Sequence, residues 1–212
     1  TTAYSEVSEE MEKLPAADYA GVVEDGVNDA IRKHLTRQIL VGTGEADNIV
    51  GIFSSNAKAI DPATDKEIAK IDENTLDEII FSYGGDEDVE DVAVLILNKA
   101  DLKEYAMLRH PDGRKVYEVK TNGNTGTINS VPYIINSVCS SITNGEAGEY
   151  CMAYGPLSNY TLATFSPLEI MKSTDYRFKQ GMIAHKGSVF TGGNVTSYNG
   201  FLRVKKAVGT GE

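Results

Sequence analysis

AADYAGVVEDGVNDAIRKHLTRQILVGTG, residues 16–44, is the stretch of sequence that constrains the fold most strongly. Its spacing predicts one helix over residues 16–41, which Gly42-Thr43-Gly44 ends. Acidic residues fill the first half of this helix and basic residues the second, an order that complements the helix dipole. A helix of about 25 residues is twice the average length and needs a structural reason. The stripe that supports it consists of Ala20, Val23, Val27, Ala30, Ile31, Leu35, Gln38 and Ile39.

Shorter elements are predicted on both sides of this helix. Residues 2–9 alternate weakly and predict a strand before it. After it, residues 72–80 have the pattern of a capped helix, and residues 92–97 are apolar on both faces, which predicts a buried strand. Asn98 is placed to cap a further helix through Leu108. The remaining strands are predicted over residues 131–138, 150–154 and 160–165 and within a β-rich region, 170–208.

The composition limits the classes of function that this chain can have. The 212 residues carry a net charge of −11. Nucleic-acid binders normally present a basic surface to phosphates, so we expect no tight, sequence-specific binding of DNA, although the acidic balance also serves plain solubility. The sequence contains no run of eighteen apolar residues, and we expect no membrane span. Two cysteines, Cys139 and Cys151, cannot staple a chain of this length, which favours a reducing cytoplasm.

The motif most suggestive of an enzyme is Asn98-Lys99-Ala100-Asp101, directly after the predicted buried strand. It is similar to the guanine-specifying N-K-x-D element of GTPases, so a nucleotide-binding protein that uses Asn98 and Asp101 is one alternative. A GTPase also needs the phosphate cradle G-x-x-x-x-G-K-[ST], and this sequence has no Gly-Lys dipeptide. A helix cap after a strand explains the same letters, and we prefer that interpretation.

No other pattern predicts a catalytic, cofactor-binding or metal site. The glycines of residues 42–44 follow a helix and lack the third glycine of a dinucleotide fingerprint. His34, His110 and His185 are far apart in sequence, without Cys or His at the spacing of metal ligands. None of the serines lies in G-x-S-x-G. We therefore expect no enzyme activity, no cofactor and no metal.

Together the segments resemble the major capsid proteins of tailed bacteriophages, which share the Hong Kong 97-type capsid fold. Each segment is a weak signal alone, but their order and spacing cover nearly the whole chain. The similar segments are Val7-Ser8-Glu9-Glu10-Met11; Gly42-Thr43-Gly44 followed by Ile49-Val50-Gly51-Ile52; Leu95-Ile96-Leu97-Asn98-Lys99-Ala100-Asp101; and residues 108–117, 131–135, 178–186 and 199–204.

The resemblance implies an α+β architecture in which the long helix is the spine of a peripheral domain. Residues 1–41 would form the strand and spine helix of this peripheral (P) domain, and residues 42–165 a mixed α/β axial (A) domain. Residues 166–212 would return to the β-rich peripheral domain. The implied function is self-assembly into pentamers and hexamers of an icosahedral shell that encloses DNA. Expected partners are the portal, scaffold and protease of the phage head, and the expected location is the virion capsid, with assembly in the cytoplasm of the host bacterium.

Exposed charges on the helix and on the turn at residues 109–115 are candidates for subunit contacts, and the alternative for each is a solvated surface charge. An encapsulin-like nanocompartment, which uses the same fold to enclose cargo enzymes, is a second interpretation of the same resemblance. The candidate contact residues are Arg32, Lys33, Arg37, Arg109, Asp112, Arg114 and Lys115.

Two departures from the family pattern carry expectations. Family members have an N-terminal arm and a long hairpin, the E-loop, before the segment that matches Val7-Ser8, so we expect this sequence to be part of a longer chain. Some members crosslink a Lys of the E-loop to an Asn in the closing strands. The matching stretch here, RFKQG at residues 177–181, has no Asn. We therefore expect no crosslinking.

Overall fold

The structure, a computed structural model, describes residues 1–12, 19–46, 48–84 and 93–208. Its helices are α1 Glu9–Glu12, α2 Tyr19–Val41, α3 Thr75–Ser82 and α4 Lys99–Met107. Its strands are β1 Thr2–Ser8, β2 Lys66–Ile68, β3 Ala93–Leu97, β4 Val119–Asn122, β5 Thr125–Ile128, β6 Val131–Ile135, β7 Tyr150–Pro156, β8 Tyr160–Thr164, β9 Glu169–Arg177, β10 Met182–Ser188, β11 Thr191–Val195 and β12 Leu202–Lys206. Within these ranges no helix is both long and apolar enough to cross a membrane.

The long helix α2 packs on a small antiparallel sheet of order β1-β10-β9. Val27 and Ile31 of α2 are buried against Val189, which follows β10. These helix residues belong to the stripe read from the sequence, and the helix ends at Val41 as predicted. Its predicted first residues, 16–18, lie outside the described part of the chain. About 34 Å of helix follows from 23 residues at 1.5 Å each.

A second sheet of seven strands, in the order β2-β12-β7-β3-β6-β5-β4, forms the largest part of the molecule. Its central strand β3 is buried on both faces, as its apolar run predicts. Leu95 and Leu97 face a cluster that includes residues of α3 and α4, whereas Ile96 faces a second cluster that contains Leu40 of α2. The second cluster therefore connects α2 to the large sheet.

The β-rich region at the end of the chain is divided among three sheets. Strands β9 and β10 join β1, and β11 pairs only with β8 in a two-stranded ribbon. The last strand, β12, lies between β2 and β7 in the seven-stranded sheet. Residues 202–206 thus lie in the sheet that residues 66–156 build, unlike the rest of the predicted return.

A close backbone contact fixes the junction between α2 and the large sheet. The amides of Ile52 and Phe53 donate to carbonyl groups of the last helical turn at 2.9 and 2.8 Å, which satisfies acceptors that a helix end leaves open. Gly42 and Gly51 make this approach possible. A Cβ on Gly42 would lie 2.2 Å from the carbonyl oxygen of Ile49. The apolar run at 49–53 is therefore a helix cap.

Candidate functional site

The N-K-x-D motif, residues 98–101, has a structural role. The Asn98 side chain accepts a hydrogen bond from the Ala100 amide at 2.9 Å and donates to the Cys139 carbonyl at 2.7 Å, so it caps α4 and holds the loop after β6. The Asp101 carboxylate is buried and accepts hydrogen bonds from the Ser141 hydroxyl at 2.7 Å and the Ile142 amide at 3.0 Å. The carboxylate that would read guanine is thus occupied inside the protein.

Burial raises the pKa of Asp101, while the hydrogen bonds from Ser141 and Ile142 act in the opposite direction. A perturbed pKa in an open cleft is a sign of catalysis, but the Asp101 side chain is fully buried and its carboxylate is held by Ser141 and Ile142. The capping interpretation of this motif therefore explains the geometry, and nothing at Asp101 supports the nucleotide-binding alternative.

A second buried carboxylate, Asp65, joins distant parts of the large sheet. Its two oxygens receive a bidentate pair from Arg203 at 2.7 and 3.1 Å, and Lys205 approaches at 2.6 Å. The Tyr150 hydroxyl donates to the same carboxylate at 2.9 Å, and its ring lies 4.9 Å beneath the guanidinium carbon. Arg203 also donates to the Ser54 carbonyl. The side chains of Arg203 and Asp65 are both buried, and their ion pair fixes β12 to the segment before β2.

The residues that could carry redox or metal chemistry are separated or enclosed. Cys139 and Cys151 are buried free thiols, and burial raises their pKa values to about 12 and about 11. Among the described residues, no group of three or more His, Cys, Asp or Glu side chains could hold a metal ion. His110 lies 3.6 Å from Glu73 at the surface.

The candidate contact residues of the helix line a groove. Arg32 pairs with Asp29 at 3.0 Å, and both side chains are largely exposed. Lys33 and Arg37 are also exposed. All three basic residues border a cavity of about 510 Å³ between α2 and the segment after β6. Its other lining residues are four polar and two apolar ones: Thr36, Asn124, Asn136, Ser137, Ile135 and Val138.

The candidate contact residues of the turn form a separate group. Arg109 donates to two nearby carbonyl groups, and its backbone forms a bridge with Lys115. Arg114 pairs with Asp112 at 3.3 Å. Gly113 has a φ of +85°, a conformation that favours glycine in this tight turn. None of these residues lines the groove beside α2.

The sequence analysis missed the outer face of the three-stranded sheet. Helix α2 covers one face, while Tyr4, Met171 and Tyr176 on the other are more than half exposed. These side chains line a cavity of about 660 Å³. Phe178 lies 79% exposed just after β9. An apolar face of this kind marks an interaction surface, and its signal in the sequence was the large side chains of Tyr4, Met171 and Tyr176 among mostly polar strand residues.

Comparison with known proteins gives a consistent result. Residues 1–206 match the model of the Phage capsid family. The fold matches the capsid of an empty GTA particle with a TM-score of 0.75 and 16% identity, over 98% of this chain and 73% of that one. A chain of Gordonia phage Cozz matches with a TM-score of 0.64 and 14% identity, over 99% and 70%.

An encapsulin is also similar. The SrpI encapsulin complex of Synechococcus elongatus PCC 7942 matches with a TM-score of 0.67 and 10% identity, over 100% of this chain and 74% of that one. No curated protein matches the sequence. At these identities the structural matches establish the fold, and they confirm the predicted α+β capsid fold of the Hong Kong 97 type. Since the family model spans nearly every residue, the chain belongs to the Phage capsid family.

Proposed function

We propose that this chain is the major capsid protein of a tailed phage or prophage and that it assembles into a closed icosahedral shell around DNA. The observation that carries the proposal is the family match over residues 1–206, which includes all three sheets and the long helix. Membership of the family makes the chain a capsid protein, a structural subunit that is repeated through a virion shell. Pentamers and hexamers would arise from contacts between different surfaces of neighbouring copies.

The three-stranded and the seven-stranded sheet support a division into two domains. The peripheral domain would consist of residues 1–41 and of the region that contains β9 and β10, because those strands pair with β1. The axial domain would consist of residues 42–165 together with β12, because β12 pairs with β2 and β7. The junction at Gly42 and Gly51 would hold the two domains in a fixed relation.

The proposal includes the partners of a phage head: a portal, a scaffold and a protease, with assembly in the host cytoplasm before the virion is released. The net charge of −11 suits a container that holds DNA without adhering to it. We also propose that the chain has no enzymatic activity. The enclosed carboxylates of Asp65 and Asp101 support this, since neither is open to a substrate.

Negative-stain electron microscopy of the full-length gene product, expressed with its neighbouring genes, tests the function. We expect closed particles of uniform diameter. A product that stays monomeric under these conditions, with a folded circular dichroism spectrum, contradicts the proposal. Binding of GTP by that monomer would then favour the nucleotide-binding alternative.

An encapsulin-like nanocompartment is the second candidate, and the similarity to the SrpI encapsulin favours it. The contents of purified, nuclease-treated particles separate the two functions. Protected DNA of uniform length supports the phage head, whereas particles that contain a co-purifying protein and no DNA support the nanocompartment.

Particles should also show no covalent crosslinks between subunits. The stretch that matches the crosslinking region of some family members, residues 177–181, offers no Asn to accept a Lys side chain. Mature particles boiled in denaturant should therefore give a single subunit band on a gel, and a ladder of covalent multimers would contradict this expectation.

A further inference from the structure

Helix α2 carries a row of four charged residues at successive steps of four: Asp25, Asp29, Lys33 and Arg37. We call this row the charge ladder. Residues four apart lie on one helix face, one turn after another, and all four are exposed. At 1.5 Å per residue the ladder is about 18 Å long. Its two acidic members come first and its two basic members second.

The side chains of the ladder are exposed to solvent from Asp25 to Arg37. In the described part of the chain, Asp25, Lys33 and Arg37 make no ion pair, and Asp29 has only its exposed pair with Arg32. Beside the acidic half, a Cβ on Gly26 would meet no atom within 4 Å. Beside the basic half, Lys33 and Arg37 border the groove of about 510 Å³ described above. Space is therefore available on the side where the charges lie.

The ladder is complementary to itself. If a second α2 runs antiparallel and a twofold axis crosses the ladder midway between Asp29 and Lys33, Asp29 faces Lys33 of the other copy, and Asp25 faces Arg37. The two remaining pairs follow by symmetry, because a twofold contact uses the same surface on both partners. An acidic chain that must lie beside its own copies gains from such pairing, since it offsets the mutual repulsion of subunits that each carry a charge of −11.

We propose that α2 pairs antiparallel with α2 of a second copy of this chain through the charge ladder, at a twofold contact of the shell. The inference rests on the proposed shell function, and it names a second copy of the chain as the partner that binds the charge ladder. Nucleic acid is the competing occupant of the basic half. The second copy is favoured because one row of side chains supplies acids and bases in equal number, whereas DNA would leave the acidic half facing phosphates.

The test uses two charge-reversal variants of the full-length gene product. In Asp25→Lys/Asp29→Lys the ladder is entirely basic, and in Lys33→Glu/Arg37→Glu it is entirely acidic. All four positions are exposed, so each variant should keep the circular dichroism spectrum of the unaltered chain. Lys58→Glu/Lys70→Glu, at exposed positions outside α2 and outside the apolar face of the small sheet, makes the same change of charge as Lys33→Glu/Arg37→Glu and leaves the ladder intact.

We expect each ladder variant alone to yield roughly tenfold fewer particles in low salt, since the four attractive pairs of each contact become four repulsive ones. An equimolar mixture of the two should restore assembly, because an all-acidic ladder then faces an all-basic one. The quadruple variant Asp25→Lys/Asp29→Lys/Lys33→Glu/Arg37→Glu, which keeps the net charge of the natural chain, should also assemble.

The outcomes separate the two proposals. If the unaltered product forms no particles, the shell function fails, and the pairing falls with it. If the unaltered product assembles and both single-sign variants assemble equally well, only the pairing is refuted. Loss of assembly in both variants without rescue in the mixture also refutes the pairing. The pairing is refuted as well if Lys33→Glu/Arg37→Glu assembles normally but loses its packaged DNA, because that result would assign the basic half of the ladder to nucleic acid.

Discussion

Replacing Gly42 with alanine should lower the free energy of unfolding by about 3 kcal/mol. The new Cβ would lie 2.2 Å from the Ile49 oxygen and 2.5 Å from the Gln38 oxygen, where real Cβ atoms essentially never come closer than 3.0 Å. Both obstacles are backbone atoms, which cannot rotate away as a flexible side chain could. The end of α2 and the helix cap formed by residues 49–53 must therefore move apart.

The magnitude follows from three contributions. Overpacking of this kind costs about 1–3 kcal/mol. The hydrogen bonds from Gly51 to Gly42, at 2.9 Å, and from Gly44 to Ile49, at 3.1 Å, weaken as the segments move apart, at about 1 kcal/mol each. Alanine restricts the unfolded chain and returns roughly 0.5–1 kcal/mol. For a chain of this size the melting temperature should fall by about 6–12 °C.

Gly26→Ala is the matched control, since it makes the same substitution inside α2, at a position where nothing lies within 4 Å. It should raise stability by roughly 0.5–1 kcal/mol, because alanine is the better helix former. Urea unfolding followed by circular dichroism, with calorimetry for the melting temperature, measures both variants. If Gly42→Ala is within about 1 kcal/mol of Gly26→Ala, the close backbone contact does not hold the junction together.

Three further results are expected. Asp65→Ala should destabilise the chain by about 3–5 kcal/mol, because it leaves the buried Arg203 guanidinium without its carboxylate, whereas Asp29→Ala, at an exposed pair, should cost at most about 0.5 kcal/mol in urea unfolding; equal effects would contradict the burial argument. Burial raises the pKa of Asp101 above its usual 3.8, so the stabilising contribution of the protonated form is present at lower pH and is lost as the pH rises through the raised pKa. Stability of the natural chain relative to Asp101→Asn should therefore fall as the pH is raised above 3.8, and a difference that is independent of pH would refute this. Cys139 and Cys151, with pKa values of about 12 and about 11, should react with a thiol reagent only at the rate of unfolding, and rapid labelling of the native chain would show that they are accessible.

Local elements were predictable because their signals lie within a few residues. The apolar stripe of α2 has a period near 3.6, and the helix ends at the glycine that the sequence marks. The cap of α4 needs only Asn98 and the amide two residues on. β3 is one uninterrupted apolar run. Family membership was predictable for a different reason, since many weak segments in one order are jointly specific.

Elements without such a signal were missed or placed too broadly. The hairpin of β4 and β5 is rich in Thr, Asn and Gly, and its hydrophobic content is too low to predict strands. The predicted strand over 131–138 ends at Ile135, because the Asn136 side chain accepts from the Val138 amide and turns the chain. The candidate contact residues remain predictions, although the structure places the helix group along one groove.

By itself the sequence determined the elements whose hydrogen bonds and apolar faces are local, together with the family to which their order belongs. Only the tertiary structure decided which partners meet across long stretches of chain. Arg203 reads as an exposed strand charge, yet it is buried on Asp65, 138 residues earlier. Strand β12 pairs in parallel with β2. Such partners depend on how the sheets close around a shared core, and a local pattern carries no information about a contact of that separation.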